Sequence, residues 1–233
     1  MEIPHAEIIP LPGGSARIEW RRSRRARRVS LRIDPCGGAV VVTLPMRTAR
    51  NAGVALLMSN AEWVSDRLAR LPDAVPFVDG AIIPINGRPH RIRHMPGARR
   101  GAWVETDELR VSGAPEFLRR RVLDFLRAEA RRRLVMLVAE KAARIEAMPR
   151  RLSVKDTRSR WGSCASDGSL AFSWRLVMAP DFVQDYVAAH EVAHLRHMNH
   201  GKRFWALVER LTPHTEAAIA WLHEDGSRLL RTG

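Results

Sequence analysis

Cysteine is scarce: Cys36 and Cys164 are the only two among 233 residues, far apart and outside any C-x-x-C pair. That excludes a disulfide-built scaffold and a thiolate zinc knuckle, and it fits a reducing compartment. Long apolar runs are missing too. None approaches the roughly 18 residues of a spanning helix, and the opening MEIPHAEIIPLPGG lacks the basic segment and apolar stretch of a secretory signal. The expectation is a cytoplasmic protein without membrane contact. Tyrosine occurs once, at Tyr186, and lysine three times, at Lys141, Lys155 and Lys202.

Arginine is what the chain has in quantity. Lys and Arg number 39 against 25 Asp and Glu, a net charge of +14, and all but three of those basic residues are arginine. The guanidinium suits bidentate phosphate contacts, so nucleic acid is a candidate partner. A solvated basic exterior on an arginine-biased protein accounts for the excess equally well. The charge is concentrated at residues 17–32 and 119–133, and Arg21, Arg22, Arg24, Arg25, Arg27 and Arg28 are the candidate nucleic-acid contacts. With 45% hydrophobic and 27% charged residues the composition is that of an ordinary globular protein.

Residues 1–113 read as short strands around one helix. Alternation at Arg17–Trp20 and Val29–Ile33 predicts half-buried strands, and Asp34-Pro35-Cys36-Gly37-Gly38 turns the second into Val40-Val41-Val42. Val54, Leu57, Met58, Ala61, Val64 and Leu68 recur at helical spacing between Thr48 and Leu71. Asn86-Gly87 predicts a second hairpin through a type I′ turn, with further strands near Trp103-Val104 and Leu109–Val111. At Ser112–Glu116 the pattern changes: Pro115 starts a helix that runs without Gly or Pro to Met148. The domain boundary is therefore expected near 113, dividing the chain into 1–113 and 114–233, with no repeat and no low-complexity linker.

Four of the nine histidines lie between His190 and His200. Pro180-Asp181 starts a helix, and Phe182, Val183, Tyr186, Val187 and Ala189 continue it, placing His190 and His194 one turn apart on one face. Two imidazoles so spaced take adjacent corners of a zinc tetrahedron, and Glu191 can reach a water there without being a ligand. This is the H-E-x-x-H pattern of zinc hydrolases. Such a site needs a third ligand and an open fourth position. If the helix stops at Asn199, His200 supplies the third; His197, Glu209 and Glu224 are the alternatives, and Cys164 is disfavoured. The spacing of His190, His194 and His200 equals that of H-E-x-x-H-x-x-G-x-x-H proteases, except that His197 stands where they have the turn-forming glycine.

Arg158-Ser159-Arg160-Trp161-Gly162-Ser163-Cys164, Phe172-Ser173-Trp174-Arg175-Leu176, Asp185-Tyr186-Val187, the histidine motif and Asn199–Trp205 together resemble the YgjP-like family of SprT-related zinc metallopeptidases. Arg22–Arg25 and Trp63 resemble it less specifically. The resemblance implies an α+β chain with a minimal zincin-like domain preceded by a small β-hairpin-rich domain, zinc on His190, His194 and His200, and Glu191 as general base. SprT-related proteases include DNA-associated members, so the arginines can guide where such an enzyme acts.

A water activated by zinc and deprotonated by Glu191 would attack a peptide carbonyl, making protein or peptide the substrate. Tyr186, His197 and Arg175 are the candidates for stabilising the oxyanion. Ser169–Trp174 reads as a strand whose exposed edge could pair with an extended substrate. Trp161 and Cys164 read as structural, and the last helices, Lys202–Leu211 and Thr215–Leu230, as core cover.

Overall fold

A computed structural model describes residues 6–157 and 159–233; Arg158, the first residue of one motif stretch, lies outside them. The chain up to Asp73 forms one unit and Ala74–Gly233 a second.

In the first unit, strands Ala6–Leu11 (β1) and Gly14–Ser23 (β2) form one hairpin, and Ser30–Asp34 (β3) and Ala39–Pro45 (β4) another. The hairpins join through β2 and β4, which run parallel, in the order β1-β2-β4-β3. Period-two alternation sends Ile18 and Trp20 of β2 and Val40, Val42 and Leu44 of β4 into one core with Leu57 and Val64. Those last two come from helices Arg50–Ser59 (α1) and Ala61–Ala69 (α2), which replace the single helix expected over 48–71. The break falls at Asn60, whose side-chain amide donates to the Leu56 carbonyl at 2.8 Å and offers the backbone an alternative to continuing.

The second unit opens with the same plan. Ile82–Ile85 (β5), Arg88–Met95 (β6), Ala102–Glu105 (β7) and Glu108–Ser112 (β8) are ordered β5-β6-β8-β7, again two hairpins joined by a parallel central pair. The architecture thus repeats although no sequence repeat announces it. Asn86 and Gly87 take φ values of 52° and 74°, the left-handed pair that a type I′ turn requires.

The expected boundary at 113 is displaced by forty residues to 73/74. The reason is packing: Ile83, Ile85, Ile92, Leu109 and Val111 share one core with the carboxy-terminal helices. The hairpin turn is itself anchored there. Asn86 N–H donates to Val177 O at 2.7 Å and Gly87 N–H to Met178 O at 3.2 Å. A Cβ on Gly87 would lie 2.9 Å from Pro180 Cα, so only glycine admits this approach.

One 3₁₀ turn, Pro115–Phe117, leads into helix Leu118–Ala143 (α3). Leu118, Val122, Leu126, Ala130, Leu134 and Val138, four residues apart, form its buried stripe. The helix stops five residues before Met148. Ala147 N–H bonds to Ala142 O and Glu146 N–H to Ala143 O, with Glu146 at φ 50°. This is a Schellman closure in which glutamate occupies the left-handed position that glycine usually fills, and a reading based on the absence of Gly and Pro cannot see it.

A three-stranded sheet follows: Arg151–Lys155 (β9), Gly162–Cys164 (β10) and Ser169–Ser173 (β11), ordered β10-β11-β9. β11, expected to expose an edge to substrate, is central and paired on both sides. β10 is the strand beside it. Four helices complete the unit: Asp181–Ala193 (α4), Lys202–Leu211 (α5), Thr215–Glu224 (α6) and Gly226–Leu230 (α7). The Asp185 carboxylate holds three of these segments to α3, meeting Lys141 Nζ at 2.5 Å and accepting from Thr212 Oγ1 at 2.5 Å, while Thr212 Oγ1 accepts from His214 N–H. The last residues return to the first ones of the unit: Val75 N–H donates to Arg231 O and Gly233 N–H to Val75 O, both at 3.0 Å. No helix among the described residues is long and apolar enough to cross a membrane.

A left-handed glutamate costs about 1 kcal/mol or more relative to glycine. Glu146→Gly is therefore expected to stabilise the protein by about 1 kcal/mol, seen as a higher urea midpoint at unchanged slope.

Candidate active site

The site begins with where α4 stops. Its last helical residue is Ala193, and His194 caps it, so the helix ends well before the expected Asn199. Leu195 N–H bonds to Val192 O at 3.0 Å and Arg196 N–H to Ala193 O at 3.1 Å, tightening the last turn in 3₁₀ fashion, and His197 N–H adds an α-type bond to Ala193 O at 3.0 Å. No residue from 194 to 201 has a positive φ. The reversal therefore needs no glycine, which is why His197 can stand at that position. Arg196 clamps the turn by donating from Nη2 to Ile145 O at 2.7 Å and Glu146 O at 2.9 Å, at the end of α3.

This reversal brings His200 back to the helix. Its Nε2 lies 3.1 Å from His190 Nε2, and one nitrogen from each of His190, His194 and His200 falls within 4.8 Å of the others. Among the described residues no other group of three or more His, Cys, Asp or Glu side chains converges in this way. His197, Glu209, Glu224 and Cys164 are outside it. His197 contributes its carbonyl oxygen instead, 3.0 Å from His194 Nδ1. A proton on that Nδ1 leaves Nε2 free for a metal. On His190 the corresponding Nδ1 faces Tyr186 Oη at 3.4 Å.

Burial prepares the imidazoles as ligands. It pushes the His190 pKa down to about 4, helped by the neighbouring His194 and His200, and lowers that of His194 as well. Both rings are consequently neutral near pH 7, as metal binding requires. Phe204, wholly buried on α5, forms the floor: its ring centroid lies 4.9, 4.5 and 4.7 Å from those of His190, His194 and His200. Expected only as core cover, α5 thus supports all three rings.

Glu191 is 6% exposed, and burial raises its pKa to about 7 against a small opposing pull from Arg160. Gly162 of β10 makes its position available. A Cβ there would lie 2.5 Å from Glu191 Oε1, so a side chain would displace the carboxylate. Glycine in a strand marks such close approaches, and this was the available sequence signal. Beside Glu191 and His190 lies a cavity of about 200 Å³ walled by Trp161, Tyr186, Val187 and Leu222. Trp161, expected to be structural, is therefore part of the wall.

Of the three expected oxyanion stabilisers, Tyr186 alone lines this cavity. Arg175 does not: it is 6% exposed, ion-paired to Asp156, and stacked over Trp174 at 4.3 Å. Arg21, Arg22, Arg24, Arg25, Arg27 and Arg28 are all exposed and belong to the first unit, whereas the site is built wholly within the second.

The chain is thus mixed α+β, with a histidine triad that could hold a metal ion and a buried carboxylate beside it. The family model for the YgjP-like metallopeptidase domain matches residues 27–225, and the chain belongs to that family. No curated protein and no solved structure matches it.

His200→Ala is expected to weaken metal binding by more than about a hundredfold, beyond what an outer-shell loss costs. His197→Ala keeps the carbonyl that orients His194 and is expected to bind metal within a few-fold of wild type. Metal competition with a chromophoric chelator reads both.

Proposed function

We propose that this protein is a zinc peptidase in which His190, His194 and His200 hold the metal and Glu191 carries the proton. The observation that carries the proposal is the buried Glu191 carboxylate beside three convergent imidazoles, at the mouth of a cavity. Three imidazole nitrogen donors suit zinc, and three rather than four ligands leave the open position of a catalytic site; a closed structural site would need a fourth. That distinction favours hydrolysis over a basic nucleic-acid-binding protein with structural zinc. Bound there, zinc supplies Lewis acidity toward a carbonyl and a water acidic enough to ionise near pH 7.

The remaining work falls to the chain. Glu191 takes the proton of the attacking water and delivers it to the leaving amine nitrogen, and a carboxylate whose pKa lies near 7 can do both. The His197 carbonyl and Tyr186 hydroxyl hold the far nitrogens of His194 and His190, fixing which nitrogen faces the metal. Tyr186 stays protonated, since burial and the Glu191 charge raise its pKa, and it is the donor available to the carbonyl oxygen of a substrate. Among the described residues β10 pairs with β11 on one side only, which leaves its other edge for β-addition of an extended peptide.

Glu191→Gln is expected to retain one zinc per chain while casein cleavage falls by about 10²–10⁴-fold, and His194→Ala to lose both. Gly162→Ala should keep zinc and lose activity, because it moves the carboxylate alone. Zinc by atomic emission and fluorescent casein digestion measure the set; undiminished cleavage by the Glu191 variant overturns the proton-carrier role.

A further inference from the structure

The cavity beside Glu191 is too small for a typical small-molecule site, which occupies about 300–1,000 Å³. At about 200 Å³ it compares with the roughly 150 Å³ apolar cavity that accepts one benzene. Its size is that of one large side chain. Three well-separated segments build it: Trp161 from the approach to β10, Tyr186 and Val187 from α4, and Leu222 from α6. Trp161 is firmly seated. Its carbonyl accepts from Ser173 N–H at 2.8 Å, and its indole lies against Gly226, where a Cβ would stand 3.3 Å from Cζ2.

Among the described residues, the only titratable groups on its wall besides the Tyr186 phenol are His190 and Glu191, both already given to metal binding and proton transfer. An acidic side chain placed here would be desolvated beside the like charge of Glu191, and Arg160, the cation that acts on Glu191, is not on the wall. A basic one would pair with Glu191 and take the carboxylate from its proton. An aliphatic or phenyl group meets neither objection and covers Trp161, Val187 and Leu222.

We infer that this cavity is the specificity pocket, receiving a large uncharged side chain (Leu, Met or Phe) of a residue flanking the bond to be cut. The inference rests on the peptidase reading for its catalytic meaning, and the test separates the two.

The zinc-loaded full chain and its Leu222→Trp and Leu222→Ala variants are given a peptide library, with cleavage sites read by mass spectrometry. One position next to the cleaved bond is expected to be enriched in Leu, Met and Phe and depleted of Asp, Glu, Lys and Arg. Leu222→Trp fills the pocket, so cleavage at these residues should fall by about 10–100-fold and move toward Ala and Ser. Leu222→Ala should shift preference toward Phe and Trp. In parallel, calorimetry measures binding of leucine, glycine, aspartate and lysine hydroxamates, which anchor on the metal and need no turnover. Leucine hydroxamate is expected to bind at least about tenfold tighter than the others, and to lose that advantage in Leu222→Trp. Equal binding of the leucine and glycine compounds, tighter binding of a charged one, or an unchanged profile in both Leu222 variants overturns the pocket. Absence of any cleavage with the leucine preference intact overturns the peptidase reading and leaves the pocket standing.

Discussion

Three imidazoles can meet at a point only if α4 ends at His194. On a continued helix, His197 would sit one turn beyond His194 on nearly the same side, and His200 would be carried about 9 Å along the axis and away from that face. The 3₁₀-type bonds from Leu195 and Arg196 halt the helix within one turn. The same turn then does a second job. Because the backbone reverses at once, the His197 carbonyl points back at His194 Nδ1 and selects its tautomer. Arg196 closes the arrangement by bonding to the two carbonyls at the end of α3, so the position of His200 is set by a helix whose sequence lies fifty residues earlier. The left-handed Glu146 belongs to this device, since its carbonyl is one of the two that Arg196 holds.

The parts legible in the sequence are those decided by local chemistry. Asn86-Gly87 forms the turn its two residues dictate, and Asp34–Gly38 returns β3 onto β4. The H-E-x-x-H pattern places His190 and His194 on one helix face because helical spacing alone guarantees it. What was not legible depends on partners distant in sequence. The boundary expected at 113 follows a change in local pattern, whereas the division of contacts at 73/74 follows which core Ile83, Ile92 and Leu109 join. Nothing near β11 in the sequence shows that β9 and β10 flank it, so an edge is expected where the structure has a central strand. Arg175 was a candidate for chemistry until Asp156, nineteen residues away, was seen to hold it. Leu222 could not be assigned to the cavity from helical periodicity, which shows a buried face but not its neighbour.

The two four-stranded sheets show how one plan is put to different uses. In the first unit the sheet buries its apolar face under α1 and α2, and α1 approaches so closely that a Cβ on Gly53 would stand 2.6 Å from the Trp20 ring. In the second, the equivalent sheet merges with the core beneath the histidines, and its hairpin turn props the start of α4: Gln184 donates to Asn86 Oδ1 at 3.2 Å and to Ala179 O at 2.8 Å. A strand pair that looked like part of a separate amino-terminal domain is thus a support for the site. The family match runs from 27 to 225, across both units, although every catalytic candidate is in the second.

The pairing of Val75 with residues 231 to 233 has a topological meaning. It brings the first and last residues of the second unit together, so that the backbone carrying the site traces a nearly closed loop. Release of residues 231 to 233 would therefore also release Val75, so the entry of the chain into the unit that carries the site is held by its last residues.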